Sequence, residues 1–135
     1  MKKTIMIETS ARDQWIEITG QLEGVVQSSG MTDGLCVVSV LHTTAGITIN
    51  ENADPDVCAD MISALDRLVP WEAGYKHGEG NSAAHLKASL MGASQVIPVR
   101  CGRLVLGTWQ GVFLTEFDGP RTRNVDVFLQ NGPKE

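Results

Sequence analysis

No stretch of the sequence approaches the roughly 18 to 20 consecutive apolar residues that a membrane-crossing helix requires, so no membrane partner is expected. The opening residues MKKTIMIETSARDQW hold two lysines but only a short apolar run and no small-residue cleavage site, which argues against a secretory signal and for a cytoplasmic protein. Positive charge is also in short supply. The 11 Lys and Arg stand against 16 Asp and Glu, a net charge of -5, without the basic clusters that neutralise a nucleic-acid backbone. Aromatic residues make up only 5% and are scattered, too sparse for a base-stacking platform, so nucleic acid is not expected as a partner. Three cysteines with no CxxC pair make a poor disulfide framework and read as reduced thiols, Cys36 in the core. Internal repeats, low-complexity tracts and Pro/Gly-rich linkers are absent too. A length of 135 residues is enough to bury a core without staples, so residues 1-135 read as a single domain.

What is present is a clear alternation of patterns. Lys3 to Glu8 and Gln14 to Ile18 alternate as strands around a turn at Ser10 to Asp13, predicting an opening hairpin. Leu22, Val25 and Val26 recur at helical spacing after a Thr19 cap, with Gly30 as a stop. Gly34 to Leu41 is β-branched and almost wholly apolar, which suits a strand covered on both faces. A short strand at Ile47 to Asn50 precedes Asp54-Pro55, an N-cap with proline at the first helical position. Val57, Met61, Leu65 and Leu68 form the buried stripe of that helix, which Pro70 ends. After a loop from Trp71 to Asn81, Ser82 caps a helix that turns Leu86 and Leu90 inward and stops at Gly92. Strands follow at Gln95 to Val99, Arg103 to Leu106, Gly111 to Phe117 and Arg123 to Leu129. The expected fold is α+β: a compact sandwich of mostly antiparallel strands with about three helices.

All three histidines fall between His42 and His85. His42 follows the apolar strand directly, where a rigid element can aim it, with Thr43 beside it, into a pocket. A lone histidine is ordinarily satisfied by a nearby carbonyl. His77, however, lies in the Gly-rich loop Gly74 to Asn81 and His85 in the first turn of the next helix, so three imidazoles converge if the core strand ends beside them. Such a set with one open position holds zinc or another divalent metal; polar lining of a pocket is the other reading.

Glu51, unlike the capping Asp54, has no structural duty in sequence and reads as a general base, a metal's outer partner, a substrate contact or a solvated loop acid. Asn50 and Asn81 offer amides to a substrate, and the tight loop Gly107 to Gly111 offers Trp109 and Gln110, although it lacks the phosphate-loop pattern. Glu116 shares strand parity with Val112 and Leu114, so on a buried face it needs a cation or a metal-bound histidine as partner. Arg121 and Arg123 flank Thr122 after a Gly-Pro turn; on one side of an extended segment they suit a phosphate or carboxylate, with ion pairs to Asp118 or Asp126 as the structural alternative.

The segments HTTAGITINENADPDV (His42 to Val57), HGEGNSAAHLKASLMG (His77 to Gly92) and LGTWQGVFLTEFDGPR (Leu106 to Arg121), with the closing strand, cover most of the chain. In them the sequence resembles the YjbQ-like family of small proteins, some described as secondary thiamine-phosphate synthases. The resemblance implies a compact α+β fold, a homotrimer, and a match of His42, His77 and His85 to family histidines at which a metal such as zinc binds. It also implies an activity: joining a pyrimidine diphosphate to a thiazole phosphate with release of pyrophosphate. The chain has neither the length nor the βα repeats of the TIM barrel that usually performs this reaction, so a shared activity would be convergent. Some relatives lack the Asp-Gly-Pro turn, and the resemblance gives Asp118 no family-wide catalytic role.

The expected function is therefore a metal-assisted transferase on a phosphorylated small molecule. His42, His77 and His85 hold the cation, zinc being favoured over magnesium by the imidazole ligands. The cation and Arg121 or Arg123 stabilise the leaving pyrophosphate, Glu51 orients or deprotonates the other partner, and His42 and Glu116 complete the catalytic set. The alternative is a noncatalytic trimer that binds a metal or a metabolite.

Overall fold

The computed structural model describes residues 1–133, and in it the apolar run Gly34–Val40 (β3) forms the middle of a five-stranded antiparallel sheet. On one side lie β8 (Thr122–Asn131) and then β1 (Lys2–Glu8); on the other lie β5 (Ser94–Arg100) and then β6 (Arg103–Leu104). A second sheet of three antiparallel strands runs β2 (Gln14–Glu17), β7 (Gln110–Glu116), β4 (Ala45–Glu51). Cys36, Val38 and Val40 of β3 share one apolar cluster with Ile47 of β4, with Val112 and Leu114 of β7, and with Leu22, Val25 and Val26 of helix α1 (Thr19–Ser29). Alternation along β2 puts Ile16 in this core and Trp15 against a second cluster on the opposite face of the small sheet. There Leu65 of α2 (Pro55–Leu68), Ala84 and Ala88 of α3 (Ser82–Met91) and Phe117 pack together. The architecture is the expected α+β sandwich of antiparallel strands with three helices.

The opening hairpin does not form. Both segments are strands, but β1 pairs with β8 and β2 with β7, so the chain crosses from one sheet to the other at Ser10 to Asp13. That segment has no Gly or Asn for a tight two-residue hairpin, and its neighbourhood bonds elsewhere: the Arg12 carbonyl accepts the Gly119 N–H at 3.1 Å.

Helix α3 turns small residues inward. Leu86 and Leu90, expected inside, are 48% and 62% exposed, while Ala83, Ala84 and Ala88 are buried. The cause is close approach to β4: the Gly92 carbonyl accepts the Ile47 N–H at 3.0 Å, and a Cβ on Gly46 would stand 2.8 Å from the Met91 Cβ. No leucine fits between backbones that near. Leu68 also lies outside, and Leu65 alone of the α2 stripe is fully buried. Asp54 caps α2 as expected, accepting the Asp56 N–H at 2.9 Å. Thr19 and Ser82 are not caps: Thr19 Oγ1 accepts the Val112 N–H at 2.8 Å, and Asn81 holds the N-cap position of α3.

One charged side chain lies inside this layer. Lys87 of α3 has no exposed surface, and its Nζ donates to carboxylates of Asp13 and Asp66, each at 2.9 Å, tying α3 to the crossing segment and to α2. The Lys87 ammonium holds the Asp66 carboxyl below its ordinary pKa. A depressed carboxyl pKa gives stability that is present above the unfolded value and lost as pH falls through the folded one. Lys87→Met should lower the unfolding free energy by about 1 kcal/mol in urea titrations, since Asp13 and the half-exposed Asp66 lose one counter-charge but keep Arg12. The variant should also lose less of its remaining stability than the parent does below about pH 4. An unchanged urea midpoint would show that the bridge does not secure α3.

Candidate functional site

Glu116 ends β7 wholly buried, and Arg123 of β8, 2% exposed, meets its charge. Arg123 Nε donates to Glu116 Oε1 at 2.9 Å, and Nη2 donates to Oε2. The same carboxylate accepts the Thr9 hydroxyl at 2.7 Å and the N–H groups of Phe117 and Asp118, each at 3.0 Å. Arg123 Nη2 also donates to Thr44 Oγ1 at 2.8 Å and to the Thr44 carbonyl at 3.2 Å. Glu116 thus faces inward and takes a cation, as its strand parity requires. Arg123 is drawn inward, its Nε and Nη2 taken by Glu116 and Thr44, yet it borders the same cleft as Arg121.

This knot forms the floor of a site. His42 lies in the connection from β3 to β4, and its Nε2 accepts the Asn124 N–H at 2.9 Å. Burial holds the His42 pKa below the ordinary histidine value; Arg123 and Arg121 push the same way and Glu116 opposes them. His77, from the Gly-rich loop, meets His85 of α3 edge to face, ring centroids 5.7 Å apart. Asp118 Oδ2 accepts from Asn81 Nδ2 and from Arg121 Nη2, both at 2.9 Å, and Arg121 Nε donates to the Asp118 carbonyl at 2.8 Å. Asn81 Oδ1 is buried without a partner among the described residues. Together with Thr43, Thr44 and Glu79 these side chains line an open cleft of about 530 Å³.

Other expected residues lie elsewhere. Ala45 is opposite Glu116 at the near end of β4, whereas Glu51 is opposite Gln110 at the far end. Six residues of strand are about 20 Å, so Glu51, Asn50, Trp109 and Gln110 do not reach the cleft within one chain. Gln110 closes its own loop, its Oε1 accepting the Gly107 N–H at 2.7 Å. Thr44 and Glu79 line the cleft, although sequence reasoning gave them no role, and Asp118, expected only as an ion-pair partner of the arginines, makes that pair with Arg121 and lines the cleft as well. For Asp118 the signal was position, two residues past an inward carboxylate at a strand end.

The donor set can be tested against the expected metal. A neutral imidazole has one lone pair and one N–H. His42 engages its Nε2 lone pair with the Asn124 N–H. Among the described residues no group of three or more His, Cys, Asp or Glu is arranged to hold a metal ion. His77 and His85 are adjacent, but the three-histidine centre does not fit the residues as they stand.

Comparisons with known proteins agree with the fold. The family model for UPF0047 protein YjbQ-like matches residues 3–132. The UPF0047 protein YugU of Bacillus subtilis is 55% identical over 91% of this chain and 94% of its own. A UPF0047 protein of Methanocaldococcus jannaschii is 50% identical over 90% of this chain and 88% of its own. The crystal structure of a Clostridium acetobutylicum protein of the same family superposes with a TM-score of 0.93 at 55% identity, covering 95% of this chain and 99% of that one. A YbjQ-like protein of Sulfolobus solfataricus gives a TM-score of 0.94 at 36% identity over 98% and 97% of the two chains.

Glu116→Gln should cost about 3 to 5 kcal/mol of stability, because the guanidinium beneath the cleft is left buried without its counter-charge. In native-state hydrogen exchange the Phe117 and Asp118 amides should lose more protection than the β3 core amides. Equal loss at both places would mean that the carboxylate does not hold this corner.

Proposed function

The chain belongs to the UPF0047 YjbQ-like family, and from that membership and the cleft we propose a group-transfer enzyme acting on phosphorylated small molecules, of the thiamine-phosphate synthase type. The observation that carries the reading is the convergence of Arg121, Asp118 and three imidazoles on one cleft above a buried ion pair. In the proposed reaction the thiazole nitrogen bonds to the methylene carbon of the pyrimidine while the bond from that carbon to the pyrophosphate oxygen breaks, its electron pair leaving with pyrophosphate. Arg121, with about half of its side chain exposed, presents a planar donor to phosphoryl oxygens while Asp118 aims it. His77 and His85 add hydrogen bonds at the mouth, and Thr43 and Asn81 contact the substrate body. Arg123 and Glu116 act as positioning residues, Glu51 takes no step, and no step runs through a metal.

A homotrimer completes the reading. Gly34 to Leu41 is almost wholly apolar, yet within the chain one side of β3 is buried while on the other Leu35 is exposed and Val37 only half-buried. There Val37 stands opposite both Val96 and Phe128, and Leu35, Val96 and Phe128 are exposed in adjoining rows. A contiguous apolar sheet face of this kind suits a second copy of the chain. Among the described residues no helix is long and apolar enough to cross a membrane, and small phosphorylated substrates fit a cytoplasmic setting.

Purified protein given both precursors should form thiamine phosphate, and Arg121→Ala should lower kcat/KM by about 10- to 100-fold, the worth of a charge-assisted hydrogen bond. Tight binding of either precursor without turnover would leave a noncatalytic binding protein instead. Phe128→Asp should reduce the mass seen by light scattering to that of a monomer; an unchanged mass would move the interface elsewhere.

A further inference from the structure

The bond at His42 runs in an informative direction. A backbone N–H can only donate, so the 2.9 Å contact from Asn124 makes His42 Nε2 the acceptor. An uncharged imidazole that accepts at Nε2 carries its proton on Nδ1. Turning the ring over would set a carbon against the Asn124 N–H and leave that donor unsatisfied, so the contact fixes ring orientation as well as tautomer. The backbone reinforces it: the Leu41 N–H donates to the Asn124 carbonyl at 3.1 Å, clamping consecutive residues of the β3–β4 connection onto one residue of β8. Asn124 in turn follows Arg123, whose guanidinium is held by Glu116 and Thr44. The bond to Asn124 is the one side-chain hydrogen bond of His42 among the described residues, and the ring lines both the cleft and an adjoining hollow along α3.

We infer that His42 is locked as the neutral Nδ1–H tautomer and serves as a hydrogen-bond donor to an oxygen of the bound ligand, not as a metal ligand. A metal at Nε2 would break the Asn124 bond and strand a backbone donor; a metal at Nδ1 would require an imidazole stripped of both protons. The ligand class this donor suits is an anionic oxygen, phosphoryl or carboxylate, lying between His42 and Arg121. That part rests on the reading of the cleft as a phosphorylated-substrate site, whereas the tautomer rests on geometry alone. Burial and the two nearby arginines also disfavour a second proton on the ring.

The test is NMR of the full chain labelled with ¹⁵N-histidine, recorded without metal and with added Zn²⁺. His42 should show an unprotonated Nε2 and a protonated Nδ1, unchanged by Zn²⁺ whatever His77 and His85 do. A proton on Nε2, a charged ring at neutral pH, or a Zn²⁺-dependent change at either His42 nitrogen would overturn the lock. The donor role is read separately with inorganic pyrophosphate as the probe. His42→Asn, whose amide nitrogen replaces Nδ1, should bind it nearly as the parent does, and His42→Phe about tenfold more weakly. Equal binding by His42→Phe sinks the donor role, while failure of the parent to bind pyrophosphate sinks the phosphorylated-substrate reading with it and leaves the tautomer to the NMR result.

Discussion

A carboxylate and a guanidinium buried side by side are costly unless nearly every remaining hydrogen-bonding position is filled. At Glu116 and Arg123 the pair and its partners come from four separate stretches of chain: Thr9 at the end of β1, Thr44 before β4, the Phe117–Asp118 corner after β7, and β8 itself. Thr9 extends the network, its hydroxyl accepting the Arg121 N–H at 2.9 Å while its own N–H donates to the Arg121 carbonyl at 2.8 Å. Gly119 is part of the same constraint, since a Cβ there would stand 2.8 Å from Thr9 Oγ1 and 3.0 Å from Glu116 Cγ. Because these partners come from both sheets, the pair fixes the two layers against each other at one end of the sandwich. The groups that face the cleft, His42, Asp118 and Arg121, are each within two residues of a member of this network.

A second constraint brings the remaining two histidines to that end. Helix α3 can approach β4 closely only because Gly46 lacks a side chain and the helix face is alanine, and Lys87 anchors the same face to Asp13 and Asp66. His85 rides on this helix, and the loop carrying His77 leads into it. The cleft therefore has a rigid wall built on strand ends and a wall built on a docked helix, with Asn81 linking them through its hydrogen bond to Asp118 at 2.9 Å.

Much of this was legible in the residues. Apolar alternation found nearly every strand, Asp54-Pro55 marked the start of α2, and parity along β7 placed Glu116 inside with a need for a cation. What pattern could not supply was pairing. Ser10 to Asp13 reads as a turn whether its strands pair with each other or with distant ones, and only the long-range partners β8 and β7 decide. Leu86 and Leu90 look like a helix core by spacing, because nothing local reveals that Gly46 draws the helix too close for leucine. The same limit applies to the site: convergence of His42, His77 and His85 followed from strand-end and loop positions, but the donor that occupies His42 comes from Asn124, 82 residues away. Glu51 appeared available for chemistry because its distance from the histidines along β4 cannot be seen until the register is known.

The charges of the cleft bear on how it selects. Arg123 is cancelled by Glu116 and Arg121 is paired with Asp118, so little uncompensated positive charge remains to draw anions from a distance. An anionic ligand must compete with Asp118 for Arg121. It can do so without undoing the corner, because Arg121 Nε is held separately by the Asp118 carbonyl at 2.8 Å while Nη2 makes the carboxylate contact. A ligand that takes over the outer edge of the guanidinium thus finds it already oriented, and the carboxylate it displaces remains tied to Asn81. Such an exchange favours a match of shape and hydrogen bonds over charge alone. It suits a site that must tell one phosphorylated molecule from many others of equal charge.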